Sequence, residues 1–192
     1  MFDRLGSATR ALLIANIAIF ALQALSPRAL VDFALWPLGY GFELWQLLSY
    51  AFLHGSFAHI AFNMVGLISF GAELERYWGP RRFIEFYLAS VLAAALAQMA
   101  VTAATGELAP TVGASGGIFG LLLGFAVMFP KRKVVPLIPP IPMPAWLFAA
   151  IFGALELILG VTGTARGIAH FAHLGGMVGA ALVLLRWRRL AY

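Results

Sequence analysis

Six apolar runs constrain this chain more than any other feature, at about residues 8–25, 55–75, 83–104, 115–129, 144–160 and 167–185. Each approaches the ~20 residues that a helix needs to cross a hydrocarbon core ~30 Å thick, and the fourth is short. Inside that core no water satisfies the backbone N–H and C=O groups, so runs of this kind must cross as helices. Composition agrees. Of 192 residues, 62% are hydrophobic and 11% are charged, with a mean hydropathy of +0.90, whereas a soluble domain carries about a quarter charged residues. The expected fold is all-α: one polytopic membrane domain over residues 1–192, a six-transmembrane-helix bundle with a short central fourth helix. No cleavable signal is expected, because the first run is long enough to span and others follow it.

The basic residues orient the bundle. Arg4 and Arg10 precede run 1, Arg76, Arg81 and Arg82 separate runs 2 and 3, Lys131, Arg132 and Lys133 separate runs 4 and 5, and Arg186, Arg188 and Arg189 follow run 6. Eleven of the thirteen Lys and Arg therefore share one side, against Arg28 and Arg166 on the other. By the positive-inside rule both termini are cytoplasmic, and an even number of crossings independently puts them on one side. The expected location is a bacterial inner (plasma) membrane. The net charge of +5 is read as this topology signal, with no nucleic acid as partner. The absence of Cys excludes disulfides and thiolate metal sites.

The connections differ in kind. Residues 26–54 carry Trp36, Tyr40, Phe42 and Trp45, and a loop this aromatic suits the membrane interface. The short 161–166 connection of small residues suits a mobile cap. The Pro-rich linker from Pro130 to Pro144 is a spacer bearing the Lys-Arg-Lys cluster. No internal repeat points to a transporter built from two halves.

Polar residues inside the runs share a depth. Runs 2, 4 and 6 descend from the outer side, so counting back from Arg76, Pro130 and Arg186 gives heights above the inner edge. These are roughly 22 Å for Ser115, 20 Å for His173, 20 Å for Asn63 and 26 Å for His59, at ~1.5 Å per residue. All four fall in the outer half of the core. Run 4 reaches only about 22 Å, so its N-terminus is expected to end inside the bundle. There, irregular backbone is tolerated where it lines a wet cavity.

Ser115 is the candidate nucleophile and His173 the candidate base that takes its proton. Gly116, Gly120 and Gly124 form one small-residue stripe; Gly175 with Gly179 and Gly176 with Ala180 form others. Such stripes let membrane helices approach closely. Taken alone, a serine in this setting is more often one more small packing residue. His59 and Asn63, at i and i+4, share a face. With the Ser115 backbone N–H they could form an oxyanion hole, or instead a polar clasp between helices. His170 competes with His173 for the role of base, but the glycines after His173 favour the latter. No carboxylate is expected to orient His173. Glu156 falls at a possible depth, yet nothing in the sequence directs it there, so a Ser–His dyad is favoured. Phe119, one turn after Ser115, could hold the imidazole by ring packing, or be plain core. Four His without Cys or a carboxylate at their level argue against a metal site.

In these residues the chain resembles the rhomboid family of intramembrane serine proteases over about residues 8–187. Gly113-Ala114-Ser115-Gly116 is similar to its GxSG motif, Ala172-His173-Leu174-Gly175-Gly176 to its AHxxG motif, and His54 to Asn63 to its HxxxxHxxxN motif. The resemblance implies Ser115 as nucleophile, His173 as base, and His59 and Asn63 as oxyanion donors. His54, Gly113, Gly116, Phe119 and Gly176 would support the site. It also implies a rhomboid-like bundle, a serine endopeptidase (a hydrolase) without cofactor, and transmembrane proteins as substrates in the lipid bilayer. Two positions depart from the pattern. Gln46 follows Trp45 where the family often has Arg, and Phe119 replaces a common Tyr. Glu75 matches a glutamate that braces the inner end of helix 2. Two other classes of function compete. One is a non-catalytic relative that binds transmembrane clients, which would be expected to lose Ser or His. The other is a small channel, which would need polar residues through the full depth.

Overall fold

The computed structural model describes residues 5–26, 28–137, 139–164, 167 and 169–190, with 29, 30, 189 and 190 described by backbone only. Arg4 and Arg166, both used above to orient the chain, lie outside the described residues. Each apolar run contains a long helix: α1 (Ser7–Leu25), α4 (Phe57–Trp78), α5 (Pro80–Thr105), α6 (Ser115–Met128), α7 (Ala145–Thr162) and α8 (His170–Leu190). Among the described residues, α1, α4, α5 and α7 are long and apolar enough to cross a membrane, and α6 is a shorter apolar helix of 14 residues. The first connection carries α2 (Arg28–Phe33), α3 (Gln46–Ser49) and a 3-10 turn at Tyr50–Phe52.

Local chemistry sets the helix ends. Ser56 starts α4, its side chain accepting the His59 N–H at 3.1 Å, which satisfies one of the orphan donors of a first turn. That cap begins α4 two residues later than the apolar run suggested. Gly79 at φ +78 turns the chain sharply into Pro80, the first residue of α5, where a missing N–H costs nothing. The α4 helix contains a π-helical turn at Leu67–Gly71. Near its C-terminal end, Glu75 accepts the Ala8 and Thr9 N–H groups at 2.9 and 2.7 Å. A carboxylate there satisfies two donors at the N-terminus of α1 and complements its dipole. Between α6 and α7, β1 (Lys133–Val134) pairs antiparallel with β2 (Met143–Pro144), with Lys133 opposite Pro144. The chain beside this hairpin is tied to α4 by the Arg132–Glu73 ion pair at 2.7 Å.

The short α6 sits at the centre, contacting α4, α5, α7 and α8. Its glycines decide which backbone comes close. A methyl group on Gly176 would collide with the Gly116 carbonyl, so α6 and α8 meet backbone to backbone at this level. The stripes anticipated from sequence divide between two neighbours. Gly176 faces α6, whereas Gly175 and Gly179 face α5, where an added Cβ would stand 2.8 Å from the Ala93 and Ala89 carbonyl oxygens. Gly124 accommodates Phe86 and Trp78 instead of α8. Near the C-terminal end of α8, Trp78, Phe86 and Trp187 close the packing, with ring centroids 4.8 to 6.0 Å apart.

The aromatic first connection is ordered from within by Gln46. Its Oε1 accepts the Trp36 N–H at 3.2 Å, and its Nε2 donates to the Asp32 and Gly41 carbonyls at 3.3 and 3.1 Å. Leu35 and Thr111 exchange two 2.9 Å backbone hydrogen bonds, and the Gly113 N–H donates to the Tyr50 carbonyl at 2.9 Å. The loop thus anchors the irregular segment that leads into α6. At the other short connection, α7 continues to Thr162 and ends at Gly163 in the left-handed conformation. The anticipated 161–166 cap is therefore partly helical, and its residues 165 and 166 lie outside the described ones.

Candidate active site

Ser115 is the first residue of α6, and Gly113 two residues before it makes the approach possible. Gly113 has φ +127, which a side chain would strain. A Cβ there would lie 2.7 Å from the His59 ring and 3.6 Å from Ser115 Oγ. Residue 113 must therefore be bare for His59 and Ser115 to flank the same point.

His173 lies in the first turn of α8, on the face that the Gly176–Gly116 contact presses against α6. Its Nε2 is 2.7 Å from Ser115 Oγ, a length normal for a strong hydrogen bond. With the serine hydroxyl as donor, a neutral ring carries its own proton on Nδ1. The ring stacks on Phe119 at a centroid distance of 4.3 Å and an interplanar angle of 4°. His170 does not reach Ser115; its Nδ1 lies 2.6 Å from Glu156 Oε2 on α7.

The expectation that no carboxylate reaches His173 is corrected by this geometry. Glu156 Oε2 is also 2.9 Å from His173 Nδ1, although without the alignment of a hydrogen bond. Glu156 stood out in the sequence as the one acid inside its run. The rotation of α7 was not legible, because an almost wholly apolar helix offers no polar face from which to read it.

On α4, Asn63 is 5% exposed and its Nδ2 has no hydrogen-bond partner among the described residues. His59 Nδ1 accepts the Gly55 N–H at 3.5 Å, so a neutral His59 carries its proton on Nε2 and can donate from there. His59 Nε2–H, Asn63 Nδ2–H and the Ser115 N–H at the head of α6 are three donors suited to a developing oxyanion. His59, Asn63, Ser115 and His173 line one cavity of about 920 Å³, whose wall also includes Gln98, Glu107 and Glu156 and apolar side chains such as Phe62, Phe119 and Phe152. His54 packs edge-on against His59, with centroids 5.1 Å apart. Burial, with His59 beside it, lowers the His54 pKa to about 4, so this neighbour stays uncharged. Burial likewise raises the Tyr50 phenol above its ordinary value, and its hydroxyl donates to the Val91 carbonyl at 2.8 Å.

One supporting residue escaped the sequence reading. Gln23, in the last two turns of α1, donates from Nε2 to the His54 carbonyl at 2.8 Å and accepts the His54 N–H at 3.0 Å. Its signal was an amide side chain within an apolar run, which in a membrane helix implies a specific partner.

The Rhomboid domain family matches residues 41–189. The chain is 32% identical over 189 residues to Rhomboid protein 1, mitochondrial, of Saccharomyces cerevisiae, covering 92% of this chain and 51% of that protein. It is 34% identical over 162 residues to RHOMBOID-like protein 12, mitochondrial, of Arabidopsis thaliana, covering 77% and 47%. With Rhomboid protease GluP of Bacillus subtilis it shares 30% identity over 143 residues, covering 71% and 25%. The chain spans about half the length, or less, of these curated relatives. Mitochondrial and bacterial proteins both occur among them, so a bacterial membrane is not singled out; a multi-pass membrane protein is. The extent of the family match, the relatives at this identity and the all-α bundle of apolar helices agree: this chain belongs to the rhomboid family.

Proposed function

We propose that the protein is an intramembrane serine endopeptidase that cleaves transmembrane proteins in or near their membrane segments. The observation that carries this reading is the 2.7 Å contact of Ser115 Oγ with His173 Nε2 at the wall of a cavity that the Asn63 amide, without a partner among the described residues, also lines. Ser115 Oγ attacks the scissile carbonyl carbon while its proton passes to His173 Nε2. The negative charge on the carbonyl oxygen meets His59, Asn63 and the Ser115 N–H. The C–N bond then breaks, the amine leaves with the proton from His173, and an acyl-enzyme remains. Water enters from the outer side, gives its proton to His173 and adds its oxygen to the acyl carbon. The carboxyl product departs as the proton returns to Ser115. None of these steps calls for a cofactor.

The Lys and Arg distribution supports six crossings with both termini on the inner side, and in that orientation the cavity opens toward the outer face. Substrates are single-pass proteins with small or helix-destabilising residues at that level, because a peptide bond locked in a helix is shielded from attack. Cleavage of a model transmembrane substrate in liposomes tests the proposal. Ser115→Ala and His173→Ala should stay folded and lose activity, while His170→Ala keeps a measurable rate. Cleavage persisting in Ser115→Ala would overturn it.

A further inference from the structure

Glu156 is a carboxylate with 12% of its side chain exposed, on a helix read as crossing a membrane. An acid in that setting is costly unless paired. Its pairing is specific. One oxygen, Oε2, faces two imidazole nitrogens of one helical turn, His170 Nδ1 at 2.6 Å and His173 Nδ1 at 2.9 Å. The far nitrogen of the second ring is the one that meets Ser115. From this arrangement we infer that Glu156 is a positioning residue for His173, held in place by His170. The inference rests on the protease reading above.

The chemistry follows from proton placement. His173 can accept the serine proton at Nε2 only when its own proton is on Nδ1, and Nδ1 lies 2.9 Å from Oε2, near enough for a charge interaction although not aligned as a hydrogen bond. The carboxylate therefore favours the competent tautomer. After the proton transfer it faces an imidazolium, whose positive charge it stabilises in a site shielded from water. The hydrogen bond with His170 fixes the Glu156 rotamer, so that its oxygen does not swing into the cavity. Phe119 sets the plane of the His173 ring by stacking; Glu156 sets which nitrogen faces the serine. The competing reading is a clasp that only ties α7 to α8. A pure clasp predicts no change in the tautomer when it is lost, and an activity that is unchanged or raised by a looser α7.

The test uses the full chain in lipid nanodiscs, with 15N-labelled imidazoles. The His173 resonances are assigned by their loss in His173→Ala, and cleavage kinetics are measured on the same samples. Wild type should show His173 protonated on Nδ1. Glu156→Leu should give a mixture of tautomers and lower kcat by roughly 10- to 1,000-fold, with KM within about twofold. Glu156→Gln keeps an acceptor oxygen, so it should retain the Nδ1–H tautomer and lose about three- to thirtyfold in kcat. The Gln variant carries the test if the Leu variant does not fold. An unchanged His173 tautomer with unchanged or raised kcat in Glu156→Leu would overturn the inference and leave a clasp. The ring measurement needs no turnover. Cleavage by Ser115→Ala would therefore refute the protease reading while the tautomer still decides the role of Glu156.

Discussion

At Ser115 the candidate chemistry depends on how firmly the neighbouring ring is held. Phe119 stacks almost parallel to His173, and such a pair contributes about 0.5–1.5 kcal/mol beyond area burial. Phe119→Ala should therefore leave the fold intact and lower kcat roughly tenfold, since 1.36 kcal/mol of barrier is one decade. Phe119→Tyr, which keeps the ring, should remain close to wild type in the same assay. The orphaned amide of Asn63 predicts a larger effect. Asn63→Ala removes one oxyanion donor and should lower kcat about 100- to 1,000-fold with little change in KM. His54 makes a prediction about pH. Its pKa falls from 6.5 to about 4 on folding, so the unfolded chain binds the extra proton first. Stability from this group should be whole above pH 6.5, fall as pH drops toward 4, and level off below. Thermal unfolding at pH 7 and pH 5 should show that loss in wild type and less of it in His54→Gln. Ser115, His173 and Asn63 stood out in the sequence as candidates because a polar group in an apolar run is conspicuous, and the structure brings Ser115 and His173 within hydrogen-bond distance. The Glu156 contact could not be read there, because it depends on how one apolar helix rotates against another. The same limit hid the pairing of Gln23 with His54.

The helices meet at glycine contacts, and these carry the elements' strongest prediction. Gly176→Ala would drive a methyl group into the Gly116 carbonyl. Overpacking of this kind costs about 1–3 kcal/mol, and here it pushes α8 away from α6 one turn below His173. The variant should unfold at lower temperature and lose cleavage together. Gly153→Ala is the matched control. Its methyl group would find only the end of Met177, 3.5 Å away, and it should behave as wild type. Gly116 and Gly120 were visible in the sequence as a stripe, and so were Gly175, Gly176 and Gly179. Which stripe faced which helix was not, because period four is common to every small-residue face and names no partner. Likewise, Gln46 was visible as a departure in the loop, but its three backbone partners were not, since Asp32, Trp36 and Gly41 come together only through the turns of that loop.

The whole molecule is a bundle in which an apolar helix too short to span is enclosed by longer ones, leaving its serine-bearing end in a cavity. Hydrophobic length indicated the all-α bundle, because long apolar runs have few alternatives in a bilayer. Sidedness is a separate prediction from the Lys and Arg distribution. The chain has no Cys, so single substitutions report cleanly. Arg81→Cys and Lys133→Cys should react with an impermeant maleimide from one side of the membrane and Glu107→Cys from the other. The claim that Ser115 is activated by His173 is tested most directly by a serine-directed fluorophosphonate applied to the full chain in liposomes, with the adduct mapped by mass spectrometry. The expected result is one adduct, on Ser115, absent in Ser115→Ala and formed at least tenfold more slowly in His173→Ala. An adduct on a different serine, or undiminished labelling of Ser115 after His173→Ala, would contradict it.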